Sequence, residues 1–458
     1  MIKTNYKSFR DPAARVIEED GVYYRYIFNE YKQDYDMLMQ SGLYQELVSK
    51  WLLITHEEIT TKTLKTDVYK LLKPQQISFQ SYPFEWSFSQ WKKVILSFLT
   101  INQIALRYGM ILKDATPYNF YLKDGNAIMF DTSSFVKYNE GDFWVGYRQF
   151  CEELLSPVAL MYYMGQRWSK IYRTHLHGIP LAFVSKQLPI SSWFNITCLV
   201  NIHMHAKFDN NTISNGINRT KGFSLVKLQA LIRMIRTNIV SWKSSYTYQN
   251  HWSGYYENNI ESEQYLKKKE EIIDNWLSTF KPLRVLDLGA NTGRFSKIAS
   301  FHTNEVIALE ADEYCVDIIQ QMIISENIQN IHTLVGELSE PSPSLGILNI
   351  ELASIFDRAN ADMVFGLALI HHLCITKYMS MDLVAELFAK FSSKYIIVEY
   401  IPREDKKVKI LLTGREDTFQ SYTEDNFIRS FNNLFELVEK KETICSERVL
   451  YLWEKRNK

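Results

Sequence analysis

Cysteine is scarce. The five residues Cys151, Cys198, Cys315, Cys374 and Cys445 are odd in number and far apart in a chain of 458. No Cys-x-x-Cys occurs, so neither a disulfide framework nor a zinc site is indicated, and the thiols fit a reducing cytosol. Net charge is also missing. The 52 basic and 52 acidic residues cancel, which argues against a partner gripped mainly through a phosphate backbone, so no nucleic-acid partner is expected. No apolar run approaches the roughly 20 residues of a membrane helix. The start, Met1-Ile-Lys-Thr-Asn-Tyr-Lys7, lacks the apolar core of a signal peptide. A cytoplasmic chain without a membrane span is expected. No internal repeat is visible, and the length exceeds one typical core, which suggests two or three domains.

Apolar and aromatic residues are plentiful. The apolar share is 46%, with 28 Tyr, 26 Phe and 10 Trp. Such rings suit stacking on sugars or bases, and equally suit a large interior.

The most informative stretch is Arg284-Val-Leu-Asp287-Leu-Gly289-Ala-Asn291-Thr-Gly293-Arg-Phe-Ser-Lys-Ile298. It reads as a strand, a tight glycine turn and a helix start. Gly289 and Gly293 permit a sharp turn and close approach of a ligand. The helix start offers N–H groups and a positive dipole end to an anionic group. Asn291 stands where G-x-G-x-x-G needs its second glycine, so a pyrophosphate site is not expected. The next strand, Val306-Ile-Ala-Leu309, ends in Glu310, where this geometry places a ribose-binding acid. Together these segments resemble the first two motifs of class I S-adenosylmethionine-dependent methyltransferases. That resemblance implies S-adenosyl-L-methionine as cofactor, with Asp287, Gly289, Asn291, Gly293 and Glu310 as its contacts. It also places Glu337, after the strand Ile331–Val335, near the adenine amine.

Alternation of short apolar strands with helices of about ten residues predicts a doubly wound, Rossmann-like α/β sheet over 241–458. Further strands are expected at Ala361–Leu369 and Tyr395–Glu399, with tail strands at Leu434–Val438 and Val449–Trp453. Strand ends on one edge would gather Asp287, Glu310, Glu337, His371, His372 and Glu399. Methyl transfer to a hydroxyl needs alignment and a base of near-neutral pKa, which makes His371, His372 and Glu399 the catalytic candidates. One His of the pair would equally serve to cap the following helix. No Asn/Asp-Pro-Pro-Tyr follows the fourth strand, against methylation of base amino groups.

Residues 1–240 read as a mainly helical α+β domain. A β-hairpin is expected over 12–29, with helices near 30–52 and 88–108. Asp114, Asn119 and Asp131 then follow at intervals of five and twelve. The set resembles the catalytic loop and metal-binding Asp of protein-kinase-like and aminoglycoside-phosphotransferase-like folds, implying Mg-ATP with Asn119 and Asp131 as metal ligands. The pattern departs from that family. No His precedes Asp114, Thr132-Ser133 replaces Phe-Gly, and no glycine-rich phosphate loop or clear strand Lys precedes it, although Arg25 is placed to imitate one. The competing reading is turn caps and a strand end. His203 and His205 lack a third metal ligand nearby and read as structural. Asp209–Asn218 reads as a mobile loop, and Trp242, Tyr246, Tyr248, Trp252, Tyr255, Tyr256 and Tyr265 as interdomain packing or a lid.

The wider pattern adds Asp131-Thr-Ser-Ser-Phe135, Ala368-Leu-Ile-His371-His372-Leu373 and Tyr422-Thr-Glu424. It is similar to a bacterial family related to host-specificity nodulation proteins, with Glu310 in place of that family's more usual Asp. The resemblance implies O-methylation of a sugar-containing or other small hydroxyl acceptor, in surface glycan or glycolipid biosynthesis, with the first half binding the acceptor. Two alternatives stand beside it: a bifunctional kinase–methyltransferase acting on one acceptor, and a non-catalytic binding or scaffold protein.

Overall fold

The computed structural model describes residues 3–4, 8–60, 65–207, 224–243, 263–414, 418–444 and 446–456. The chain divides into two compact units. The first is Met1–Thr247 with Leu345–Leu352, and the second is Tyr248–Ser344 with Ala353–Lys458. Cys445, the Asp209–Asn218 run and the aromatics Tyr246, Tyr248, Trp252, Tyr255 and Tyr256 lie outside the described residues.

The first unit opens on a five-stranded antiparallel sheet of order β1-β2-β3-β5-β4. The strands are β1 (Lys3–Thr4), β2 (Ala14–Glu19), β3 (Val22–Phe28), β4 (His56–Glu58) and β5 (Val68–Pro74). The expected hairpin is β2–β3. Its tip residues Asp20 and Gly21 both take positive φ, at 52° and 78°, as a two-residue turn matched to strand twist requires. The helix Phe88–Arg107 starts where Ser87 and Gln90 form a reciprocal capping box. Its apolar face buries Trp91, Val94, Ile95, Phe98 and Leu99 in the main core. Beyond it, β6 (Met110–Leu112) pairs with β9 (Phe135–Lys137). Between them β7 (Phe120–Lys123) and β8 (Asn126–Met129) form a second hairpin. Trp242 is buried and stacks on Tyr162 at 4.8 Å, a packing role. No helix among the described residues is long and apolar enough to cross a membrane.

The second unit is a seven-stranded sheet of order β12-β11-β10-β13-β14-β16-β15. Its strands are β10 (Arg284–Leu288), β11 (Glu305–Glu310), β12 (Ile331–Val335), β13 (Ala361–Gly366), β14 (Ser392–Tyr400), β15 (Phe435–Glu442) and β16 (Val449–Lys455). The first five are parallel. β16 alone runs against the others, antiparallel to both its neighbours β14 and β15, so it starts at the carboxyl edge of β14, with Val449 opposite Tyr400. The strand order reverses at β10, whose neighbours are β11 and β13. Ligands bind at such a switch point in open α/β sheets.

One strand is shorter than expected. β13 stops at Gly366 rather than continuing to Leu369, because Ala368 turns to φ 51° and the chain enters a helical turn. Gly366 itself admits no side chain, since an added Cβ would overlap the fully buried ring of Phe388. Gly366→Ala is expected to destabilise the unit by about 1–3 kcal/mol through overpacking. A melting temperature unchanged by the substitution would contradict this packing.

Candidate functional site

The glycine turn between β10 and the helix Arg294–Ser300 is tightly determined. Gly289, Asn291 and Gly293 have φ values of 71°, 49° and 83°. A Cβ at Gly293 would lie 3.0 Å from Ile319 Cγ1, so both backbone angle and packing demand glycine there. The turn satisfies itself. The amides of Gly289 and Ala290 donate to Leu309 O, that of Asn291 to Glu310 Oε2, that of Thr292 to Asn291 Oδ1 and that of Gly293 to Ala290 O. Five successive amides, Gly289 to Gly293, are thus committed before the helix Arg294–Ser300 begins, three of them to β11 and two within the turn.

What the turn presents instead is a carboxylate. Glu310 Oε2 accepts from the Asn291 amide at 2.7 Å, and Oε1 accepts from the amides of Ala311 and Asp312 at 2.7 and 2.9 Å. These bonds lock the side chain against the mouth of the turn. Oε2 keeps one acceptor position for an incoming hydroxyl. Burial pushes the carboxyl up to about 7, against the backbone N–H bonds that favour its charge. Asp287 is also buried and accepts from Ser296 Oγ at 2.6 Å. Burial raises it to about 6, opposed by Ser296 and by the positive charge of Lys269. Glu337 is part-exposed and pairs with Lys377 at 3.1 Å.

The chain after β13 carries His371 and His372 with ring centroids 3.8 Å apart. His371 is fully buried, and neither of its ring nitrogens has a hydrogen-bond partner among the described residues. Burial, then the neighbouring His372 and the cations Arg448, Lys407 and Lys269, hold it well below its ordinary range. Burial likewise lowers His372 to about 4. Both rings are thus held toward the neutral form and are weaker proton acceptors than the near-neutral base that the sequence suggested.

Glu399 is a correction. The carboxyl edge was expected to present it as an accessible acid, but it is wholly buried. Lys269 Nζ donates to its Oε2 at 2.7 Å and the Tyr265 hydroxyl donates to its Oε1. Its lone pairs serve an interior ion pair, so it orders the site rather than reacting in it. Sequence reasoning missed Lys269 and Arg448. Arg448 is buried just before β16, donates from Nε to Asp405 Oδ2 at 2.9 Å and lies 5.4 Å from the ring of Tyr265. Lys269 left one local trace: it sits on the buried stripe Tyr265, Leu266, Lys269, Ile272, Ile273, Trp276 of the helix Glu263–Phe280. A lysine on an apolar helix face needs a buried partner.

In the first unit, Asp114, Asn119 and Asp131 do come together. Asn119 Nδ2 donates to Asp114 Oδ2 at 3.1 Å and reaches Asp131 Oδ2 at 3.5 Å. Asp131 is heavily engaged. Its Oδ1 accepts from Arg25, the Ser133 amide and the Ser133 hydroxyl, and its Oδ2 accepts from Ser134 Oγ at 2.5 Å. Gln149 Nε2 donates to Asp114 at 2.6 Å, and burial pushes nearby Glu153 up to about 7. No group of three or more His, Cys, Asp or Glu placed for a metal occurs among the described residues. His203 is buried with both ring nitrogens 2.8 Å from serine hydroxyls, of Ser185 and Ser192, as a structural histidine should be.

Part of the chain matches a known family model. The family model described as tellurite resistance protein TehB matches residues 253–344. The chain is 27% identical over 457 residues to nodulation protein NoeA of Rhizobium meliloti (strain 1021), covering 98% of this chain and 95% of that protein. Among solved structures it is similar to N-methyltransferase NodS from Bradyrhizobium japonicum WM9. That match is 10% identical and covers 43% of this chain and 99% of NodS, with TM-score 0.32. It is also similar to magnesium protoporphyrin IX methyltransferase ChlM from Synechocystis PCC 6803 with bound SAH. Here identity is 13%, over 42% of this chain and 84% of ChlM, with TM-score 0.31.

Proposed function

We propose that this chain, a class I S-adenosylmethionine-dependent methyltransferase related to nodulation proteins, methylates a hydroxyl of a sugar-containing or other small acceptor. The observation that carries the reading is Glu310 held by the turn amide of Asn291. A self-satisfied turn with one fixed carboxylate suits ribose hydroxyls and a cationic cofactor better than a phosphate. Asp287, Gly289, Asn291, Gly293, Glu310 and Glu337 are assigned to that cofactor. When bound, it supplies a methyl group on a positively charged sulfur.

The protein's own part is orientation and proton acceptance. Glu310 fixes the nucleoside end by its remaining acceptor position. His371, whose ring nitrogens have no hydrogen-bond partner among the described residues, accepts the hydrogen bond of the attacking hydroxyl and then its proton. His372, in ring contact, sets the plane of His371. An acceptor of the surface-glycan or glycolipid kind, met in the cytoplasm, is what the resemblance of the sequence to nodulation proteins implies.

A second reading, a kinase–methyltransferase, is favoured by the meeting of Asp114, Asn119 and Asp131. Against it, Asp131 must release Arg25 and Ser134 before it can take Mg²⁺.

Calorimetry separates the readings. S-adenosylhomocysteine is expected to give heat, and Asp287→Ala is expected to abolish it. Heat from Mg-ATP as well, untouched by Asp287→Ala, would favour the second reading. Heat from neither would leave a binding or scaffold protein.

A further inference from the structure

We propose that Lys377 is a positioning residue for the nucleoside: paired with Glu337, it spans the site and aims that carboxylate at the amino group of the base. This rests on the methyltransferase reading above and deepens it.

The first support is topology. Glu337 follows the end of β12 at Val335, and Lys377 lies in the chain that leaves β13 at Gly366. These strands are not neighbours. β11 and β10 lie between them, so at one strand spacing of about 4.8 Å each their ends stand about 14 Å apart. Yet Lys377 Nζ donates to Glu337 Oε2 at 3.1 Å. The pair therefore joins the two flanks of the switch point, past the strands that carry Asp287 and Glu310.

The second support is the direction of the ligand. In the cofactor, the sulfur arm and the base leave the ribose on opposite sides. The reacting sulfur belongs beside His371, in the chain after β13. With the ribose hydroxyls on Glu310, at the end of β11, the base is directed toward β12, which borders β11 on the other side. Glu337 is the first acid after that strand. Its Oε2 is taken by Lys377, and its Oε1 has no hydrogen bond among the described residues. That oxygen is left for a donor, and adenine offers one in its amino group.

The third support is how Lys377 is held. Its amide donates to His372 O at 3.1 Å and that of Met379 to Leu373 O at 3.0 Å, closing a wide helical turn over His372–Thr376. Tyr378 then takes φ 57°, a strained angle for a tyrosine, and sets its ring 5.3 Å from that of Phe419. Wide turns and left-handed non-glycine residues gather where a chain holds a ligand, and Lys377 stands between the two. The Lys377 and Glu337 side chains are 39% and 24% exposed. An ion pair so placed adds little to stability. What it supplies is a fixed direction for one carboxylate.

The test is calorimetry on the full chain with S-adenosylhomocysteine and S-inosylhomocysteine, whose base carries an oxygen in place of the amine. The unmodified protein is expected to bind the amino form about tenfold tighter, because a carboxylate repels that oxygen. Lys377→Met should weaken the amino form about tenfold and leave the keto form nearly unchanged, while the melting temperature moves by no more than about 2–4 °C. Lys377→Arg returns the cation and should return the preference. Lys377→Met that weakens both ligands equally would mark the residue as merely structural and overturn the proposal. So would a Lys377→Met protein that binds S-adenosylhomocysteine as tightly as the unmodified one or more so, or an unmodified protein with no preference between the bases. In each of these cases the methyltransferase reading stands. Failure of the unmodified protein to bind either ligand would end both.

Discussion

Glu310→Ala is expected to weaken S-adenosylhomocysteine binding about a hundredfold, a charge-assisted hydrogen bond plus the lost order of the turn. The bond from the Asn291 amide disappears with the carboxylate, and a positive-φ asparagine loses the contact that holds it. Glu310→Asp keeps the charge on a shorter arm and should fall between. Glu310→Gln is not benign, because an amide cannot accept at both ends where three backbone N–H groups point at it. The pH dependence follows from the raised carboxyl, near 7 in the fold and about 4.5 in the unfolded chain. Between those values the native state binds the extra proton, so this group makes stability fall as pH rises through the window. Affinity for a cationic cofactor should move the other way, rising through pH 7 as the carboxylate ionises. Glu310→Gln should flatten that rise. A cofactor affinity whose pH profile survives the Gln substitution would show that some other group holds the nucleoside.

The sheet of the second unit was legible because its period is. Each of the five parallel strands is an apolar run closed by a turn residue, and a buried parallel strand reads in that way. The boundary that failed, the end of β13, failed at Ala368. A positive φ on an alanine is imposed by the tertiary fold and leaves no mark on the local pattern. The glycine turn was legible as a motif, but the commitment of its amides was not. Whether an amide is free depends on Leu309 and Glu310 lying beside it, a pairing made only when β11 docks on β10. Glu399 shows the same limit from the other side. The sequence puts an acid at a strand end, and only the fold brings Lys269 across 130 residues to consume it. In the first unit the intervals between Asp114, Asn119 and Asp131 foretold their meeting. The saturation of Asp131 by Arg25 and two serines was invisible, because those donors come from β3 and from the turn after β8.

The ion pair that displaced Glu399 from the candidate catalytic set is where the largest loss of stability is expected. Lys269 and Glu399 side chains are 4% and 0% exposed, with 2.7 Å between charges. Lys269→Met leaves a carboxylate in the interior with only the Tyr265 hydroxyl to answer it, at a cost of about 3–5 kcal/mol. Near 2–4 °C per kcal/mol for a unit of this size, the melting temperature should fall by about 10 °C. If the loss comes from the stranded charge, removing the charge should return it. The triple variant Tyr265→Phe, Lys269→Met, Glu399→Leu has no buried polar group left unmet at this position, and it should melt close to the unmodified protein. That recovered fold should still bind its cofactor weakly. Lys269 supplies the positive charge that opposes the raised pKa of Asp287 and lies 4.7 Å from the ring of Phe295, on the helix that follows the glycine turn. Stability and cofactor affinity should therefore separate: the single variant loses both, while the triple variant regains only the first. A triple variant that recovers both would mean that Lys269 holds the fold and has no hand in the chemistry of the turn.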